Sequence, residues 1–146
     1  MKRDIKLNRF YPHPPERVWR ALTDPEALAS WFADSDFKPV VGHKFTFTTD
    51  PGPTYDGILY CEVIEVDEPH HLAYTFRGGV MKSITTVTWI LTPEAGGTRL
   101  RLEHTGFTGL RDIAISGIIG LGWRHNLSQM PAVLDSLASD ERIVSE

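Results

Sequence analysis

Few side chains in this sequence combine the type and the spacing that chemistry requires, and the strongest candidate is His104. It follows Leu100 and Leu102 at steps of two, so on a strand all three side chains face the same way, into the protein. An inward imidazole can hydrogen-bond a bound molecule, or act as acid or base near neutral pH. The alternative is a hydrogen-bonded core histidine, the commoner role of a single inward histidine.

Glu62 and Tyr60 alternate on a second predicted strand, Tyr55–Val66, and share one of its faces. If that face points inward, a carboxylate and a hydroxyl join His104 in one cavity, where Glu62 and His104 can shuttle protons on a substrate. If it points outward, Glu62 is a solvated charge. Periodicity leaves both orientations open, because both faces carry apolar residues: Ile64 lies beside Tyr60 and Glu62, and Leu59, Cys61 and Val63 share the other face. A β-bulge would explain this mixed pattern.

Other reactive groupings are weak. Asp67, Glu68, His70 and His71 cluster at a corner, but adjacent histidines on an extended chain point in opposite directions and chelate poorly. The sequence holds no HExxH, phosphate-loop, GxGxxG or nucleophile-elbow motif. We therefore predict no catalytic residue set, no metal site and no cofactor.

Aromatic residues dominate the predicted inward faces. A core of this size can be filled with Leu, Ile and Val alone, so wide and partly polar rings suggest the wall of a pocket for a small apolar or amphipathic molecule. The alternative is that these rings are ordinary core. The predicted ligand-binding residues are Trp31, Phe45, Phe47, Tyr60, Tyr74, Phe76, Trp89, Leu102, His104 and Trp123.

The predicted elements place these residues on one sheet and its helices. A first strand near Ile5 is ended by prolines, and two short helices begin at Pro15 and Pro25. From Gly42 to Gly106 the apolar residues recur with period two, which is typical of antiparallel strands. A helical stripe then follows, in which Pro131 is expected to kink the helix or to remove one hydrogen bond. Its apolar members are Trp123, Leu127, Met130, Leu134 and Leu137.

This order resembles a known family. The segments that carry the resemblance are PPERVWRALTDPEALASWF, YDGILYCEVIEVDEPHHLAYTF, TTVTWILTPEAGGTRLRLEHTGF and GWRHNL. They are similar to the SRPBCC (START-like) superfamily, and within it to the branch homologous to the activator of the Hsp90 ATPase. The resemblance implies an α+β helix-grip fold over residues 1–146, in which a curved antiparallel sheet wraps a long C-terminal helix and encloses a cavity.

The superfamily implies three functions. We expect a non-catalytic binder of a small hydrophobic or amphipathic ligand. The alternatives are an enzyme like the polyketide cyclases and dehydratases, using His104 and Glu62, and an interaction module like the chaperone ATPase activator. Fold analogy alone does not choose among them.

The stretch 110–122 departs from the family pattern, because it is apolar and glycine-rich where relatives carry charges. A lid, a homodimer surface and a membrane-touching edge are possible roles, but ordinary core packing is the favoured expectation. Its longest apolar run, Ile113–Leu121, is far shorter than the ~20 residues that span a bilayer.

Composition narrows the setting. The 146 residues predict one domain, and a net charge of -4 with scattered Lys and Arg argues against nucleic-acid binding. The single cysteine, Cys61, suits a reducing compartment, and the first residues lack the apolar region of a signal peptide. We expect a cytoplasmic protein.

Overall fold

A computed structural model describes residues 4–51, 56–78, 81 and 83–145. Their strands and helices follow the predicted order of one strand, two short helices, a meander and a C-terminal helical segment. The strands are β1 (Ile5–Tyr11), β2 (Asp34–Ser35), β3 (Lys44–Thr48), β4 (Ile58–Asp67), β5 (His71–Gly78), β6 (Thr85–Glu94) and β7 (Gly97–Thr105). The helices are α1 (Pro15–Thr23), α2 (Pro25–Trp31), α3 (Gly109–Leu127) and α4 (Met130–Ser145).

The strands form one curled antiparallel sheet in the order β1-β7-β6-β5-β4-β3-β2. Strands β2 to β7 are thus a meander, and β1 closes the row beside β7. The β6–β7 turn is built on Gly96, whose φ of 82° favours glycine. At Gly97 a Cβ atom would lie 2.1 Å from the Tyr11 carbonyl oxygen, so only glycine lets the end of β1 approach this turn.

Helices α1 and α2 begin at proline residues, as predicted. Pro15 and Pro25 occupy the first turn, where a missing N–H costs no hydrogen bond. The Asp24 carboxylate accepts a hydrogen bond from the Ala27 N–H at 3.1 Å and caps α2. Trp31 donates its indole N–H to the Ala21 carbonyl at 2.8 Å, which ties the two helices together.

The C-terminal apolar stripe is buried throughout, and every member that the spacing predicts is at most 7% exposed. The long helix is divided, however, by a turn at Ser128 and Gln129 rather than kinked in its interior. Pro131 consequently lies in the first turn of α4, where a helix tolerates proline.

The concave face of the sheet carries the core, and the predicted alternation in β3, β5, β6 and β7 is confirmed by burial. Strand β4 contains the bulge that its mixed pattern suggested, between Val63 and Glu65. Its orientation is fixed by its neighbours: Cys61 pairs with Phe45 on one side and Phe76 on the other, and directly opposite residues share a face. Tyr55, the predicted start of this strand, lies outside the described residues.

This register corrects one predicted inward residue. Tyr60 pairs with Thr46 and Arg77 on the outer face of the sheet and is 44% exposed. Its hydroxyl donates to the Asp56 carboxylate at 3.3 Å, and the Arg77 guanidinium lies 5.6 Å from its ring centre. Tyr60 therefore does not reach the concave face.

Candidate functional site

The concave face brings together nine of the ten predicted site residues, all except Tyr60. Each is at most 4% exposed: Trp31, Phe45, Phe47, Tyr74, Phe76, Trp89, Leu102, His104 and Trp123. They come from α2, four strands and α3, so the sheet and both helical segments are needed to assemble the cluster.

The aromatic rings contact one another. Trp89 lies edge-on to both Trp31 and Trp123, with ring centres 5.9 and 5.4 Å apart. Phe32 bridges the cluster at 4.5 Å from Phe47 and 5.0 Å from Trp123. These separations are those of packed aromatic pairs. The predicted wall residues thus contact one another, and an internal cavity stays a prediction.

Two members of this cluster escaped sequence reasoning. Phe37 contacts Phe45 at 4.8 Å, and Phe107 contacts His104 at 4.6 Å. Both lie in connections between elements, where neither the strand nor the helix period applies. The signal that could have identified them is a single large apolar residue among polar neighbours, and both phenylalanines are indeed buried.

His104 occupies the middle of a directional hydrogen-bond chain. Trp123 donates its indole N–H to His104 Nδ1 at 3.0 Å, so Nδ1 carries no proton. The neutral imidazole then bears its proton on Nε2, which lies 2.7 Å from Thr85 Oγ1. The Thr85 hydroxyl in turn donates to the Phe76 carbonyl at 2.7 Å.

Both ring nitrogens of His104 are therefore committed to protein partners. Burial lowers the pKa of His104 to about 3, because a charged imidazolium loses its hydration inside the apolar cluster. The ring stays neutral at physiological pH and has no free nitrogen for a ligand or a proton transfer. Of the two interpretations of this residue, the hydrogen-bonded core histidine fits these contacts.

The proposed partnership of His104 with Glu62 is wrong. Glu62 shares the outer face of β4 with Tyr60, opposite Lys44 and Thr75 in the neighbouring strands, whereas His104 is fully buried on the concave face. The sheet itself separates the two groups. A cyclase mechanism that uses this pair has no geometric basis.

Two polar groups remain within the aromatic cluster. Tyr74 accepts a hydrogen bond from the Trp89 indole N–H at 3.0 Å, and among the described residues its own hydroxyl proton meets no acceptor. Burial raises the pKa of Tyr74, so the hydroxyl stays a donor. Burial likewise raises the pKa of the Cys61 thiol, which keeps it protonated and a poor nucleophile.

Three of the depressions at the surface of the described residues lie between helices or between a helix and β1. One of about 330 Å³ separates α2 from α4, one of about 260 Å³ separates β1 from α3, and one of about 420 Å³ separates the end of β1 from α4. None of the ten predicted site residues lines them. In the same part of the chain no group of three His, Cys, Asp or Glu side chains is placed to hold a metal ion.

Helix α3 is rich in apolar residues, but several of them are exposed while two polar residues are buried. Of its nineteen residues only Asp112, Ser116, Trp123 and Leu127 are buried. Leu110, Ile118 and Leu121 are 86%, 72% and 65% exposed, so the expectation that this stretch packs as core is wrong for them. The Asp112 carboxylate faces the protein instead and accepts a hydrogen bond from the Ser83 backbone N–H at 2.6 Å.

Comparison with known proteins decides the family. Residues 12–135 match the family model described as Activator of Hsp90 ATPase homolog 1-like protein. The chain belongs to this family. The predicted membership of the SRPBCC (START-like) superfamily and its α+β fold are thereby confirmed.

Solved structures of this fold come from several bacteria. The MLL2253 protein of Mesorhizobium loti is 35% identical and superposes with a TM-score of 0.82, covering 92% of this chain and 98% of its own. BH1534 of Bacillus halodurans is 26% identical, with a TM-score of 0.71 over 92% of this chain and 99% of its own. CalU16 of Micromonospora echinospora, at 22% identity, shows the fold alone; its TM-score is 0.74 over 91% of this chain and 76% of its own.

Among functionally curated proteins, none is similar enough in sequence to count as a match. Within the described residues, no helix combines the length and the apolar character that crossing a membrane requires.

Proposed function

We propose that this member of the Activator of Hsp90 ATPase homolog 1-like family binds a small amphipathic molecule between the concave face of the sheet and α3, without transforming it. The observation that carries the proposal is the Tyr74 hydroxyl. It lies 2% exposed among aromatic rings and has a proton to donate that no described residue accepts. A buried donor without an acceptor is costly, and a ligand oxygen would remove that cost.

The surroundings of Tyr74 indicate the class of ligand. The rings of Phe37, Phe45 and Phe47 lie 6.2, 5.2 and 6.0 Å from its ring centre. Such walls favour an apolar or aromatic body, and a carbonyl or ether oxygen would accept the one spare hydrogen bond. An anionic group is disfavoured here, because no Lys or Arg side chain is buried among the described residues.

Entry requires a movement, because the nine inward residues of the cluster are at most 4% exposed. Helix α3 is the element suited to this movement, because only four of its side chains are buried against the rest of the protein. Its main anchor is Trp123, which packs on Phe76 and Trp89 and donates to His104. A ligand that replaces these ring contacts favours an outward position of α3.

The absence of turnover is part of the proposal. His104 has both nitrogens engaged and Cys61 is held as a buried thiol, so neither supports proton transfer or nucleophilic attack. A reduced buried cysteine also agrees with a cytoplasmic location, which we expect. The chaperone-activator alternative stays a prediction that rests on the family description.

The first experiment is native mass spectrometry of freshly purified protein, followed by denaturation and identification of released molecules. We expect an apolar molecule that carries an acceptor oxygen. In parallel, the neutral apolar dye Nile red, whose carbonyl oxygen can accept a hydrogen bond, is titrated into the wild type and the variants Tyr74→Phe and Tyr60→Phe. Loss of one hydrogen bond of about 1 kcal/mol predicts roughly fivefold weaker binding for Tyr74→Phe only.

Two outcomes contradict the proposal. In the first, no molecule is released and the dye does not bind. In the second, dye binding is equal in Tyr74→Phe and the wild type but falls in Ile118→Ser, which places the dye on the exposed surface of α3. Circular dichroism of each variant shows that the fold is retained.

A further inference from the structure

We propose that the outward face of α3 binds the surface of an anionic lipid membrane. The feature that carries this inference is the α3 stripe, defined here as Leu110, Ala114, Ile118 and Leu121. At 3.6 residues per turn these four side chains lie within roughly 80° of the helix circumference, in a row roughly 16 Å long. All four are exposed, and the three large ones are at least 65% exposed.

The charges of α3 are arranged around this stripe. At 3.6 residues per turn, Arg111 and Arg124 lie on opposite sides of the stripe. Both arginines are exposed. The one carboxylate of the helix, Asp112, is 1% exposed and accepts a hydrogen bond from the Ser83 N–H on the opposite side. The outer surface of α3 is therefore apolar and cationic in a chain of net charge -4.

This arrangement is that of a helix that lies in a membrane interface. Such a helix buries its apolar face ~5–10 Å into the headgroup region while flanking cations meet anionic lipid. The charged residues beside it, which border the depression between β1 and α3, are Asp4, Lys6 and Arg124. Arg124 belongs to α3 itself, and the β1 side contributes one cation and one carboxylate, so the neighbouring strand adds no net negative charge that would repel an anionic surface.

A second copy of the chain fits this surface less well. The stripe covers roughly 160–200 Å², taking a helix diameter of roughly 10–12 Å. A stable dimer buries about 800 Å² on each partner. Facing copies would also oppose the arginines of one α3 to those of the other. Area and charge both favour a lipid surface, which needs neither a complementary shape nor a large contact.

The inference does not depend on the proposed interior ligand, because it uses only outward side chains. The experiment is co-sedimentation of the whole protein with vesicles of phosphatidylcholine alone and of equimolar phosphatidylcholine and phosphatidylglycerol. We expect binding to the anionic vesicles that weakens with added salt, and none to phosphatidylcholine alone.

Matched variants test the stripe. The double variant Ile118→Ser/Leu121→Ser is expected to bind anionic vesicles at least roughly tenfold more weakly. Arg111→Gln and Arg124→Gln are each expected to cost roughly fivefold. The control patch is another exposed apolar pair with a nearby cation, Val40→Ser/Val41→Ser and Lys38→Gln, which should bind like the wild type.

Three results overturn the proposal. They are no binding to either vesicle, equal losses in the α3 and control variants, and a dimer in analytical ultracentrifugation that Ile118→Ser/Leu121→Ser dissociates. The last would assign the stripe to self-association. Because the substituted side chains are exposed, thermal unfolding should be unchanged in all variants and separates these results from misfolding.

Discussion

The concave face of the sheet and helix α3 use apolar residues in opposite ways. On the sheet, alternation sends Val87, Trp89 and Leu91 of β6 inward, and one polar group of that face, His104, is satisfied by Thr85 and Trp123. On α3, the inward residues include Asp112 and Ser116, while Leu110 and Ile118 face solvent. The sheet therefore stabilises the fold, whereas much of α3 is available for contacts outside it.

The contrast within α3 predicts the largest effect. Trp123→Ala should lower the free energy of unfolding by roughly 3–5 kcal/mol, because it removes a buried ring and leaves His104 Nδ1 without its donor. Leu121→Ala, two residues away and 65% exposed, should change it by no more than about 0.5 kcal/mol. Urea unfolding of both variants measures these changes in free energy. Equal losses would contradict the difference between the inward and outward faces of α3.

The neutrality of His104 predicts a pH dependence of about 2 kcal/mol. The unfolded imidazole has a pKa of about 6.5, and the folded value is about 3. Between these values only the unfolded chain binds the proton, so stability falls as pH decreases below 6.5. From pH 7 to pH 5 the loss from this residue is about 2 kcal/mol at about 1.36 kcal/mol per pH unit.

Urea unfolding of the wild type and His104→Gln at both pH values measures this loss. The glutamine does not titrate and offers a donor and an acceptor, so the loss between the two pH values should be smaller in the variant. Identical pH dependence in both proteins would mean that His104 has nearly the same pKa in the folded and the unfolded chain. It would then resemble a surface group rather than a part of the core.

The smallest effect concerns α4, which is tied to α1 by charge. Arg17 donates from Nε and Nη2 to Glu141 at 3.0 and 2.7 Å, and this contact lowers the pKa of the Glu141 carboxyl. Both partners are partly exposed, so Glu141→Gln should cost at most about 1 kcal/mol. The loss should shrink at high salt. A large loss of stability that does not change with salt would show that the Arg17–Glu141 pair behaves like a buried contact.

Local patterns in the sequence determined much of the fold. Period-two spacing identified the inward rows, as in Thr85, Val87 and Trp89, because an extended strand alternates its side chains whatever surrounds it. The prolines that begin α1 and α2, and the spacing of Trp123 and Leu127, are equally local signals. Family membership followed from the same segments.

Only the tertiary structure decided the rest, because those features depend on partners distant in the chain. The outward orientation of Tyr60 and Glu62 follows from pairing with β3 and β5, since both faces of β4 carry apolar residues. The role of His104 follows from Trp123, nineteen residues away, whose indole N–H donates a hydrogen bond to Nδ1 of the imidazole. Asp112 of α3 is turned inward, where its carboxylate accepts a hydrogen bond from the Ser83 N–H. Periodicity reports what a segment prefers alone, and these residues were placed by what they meet.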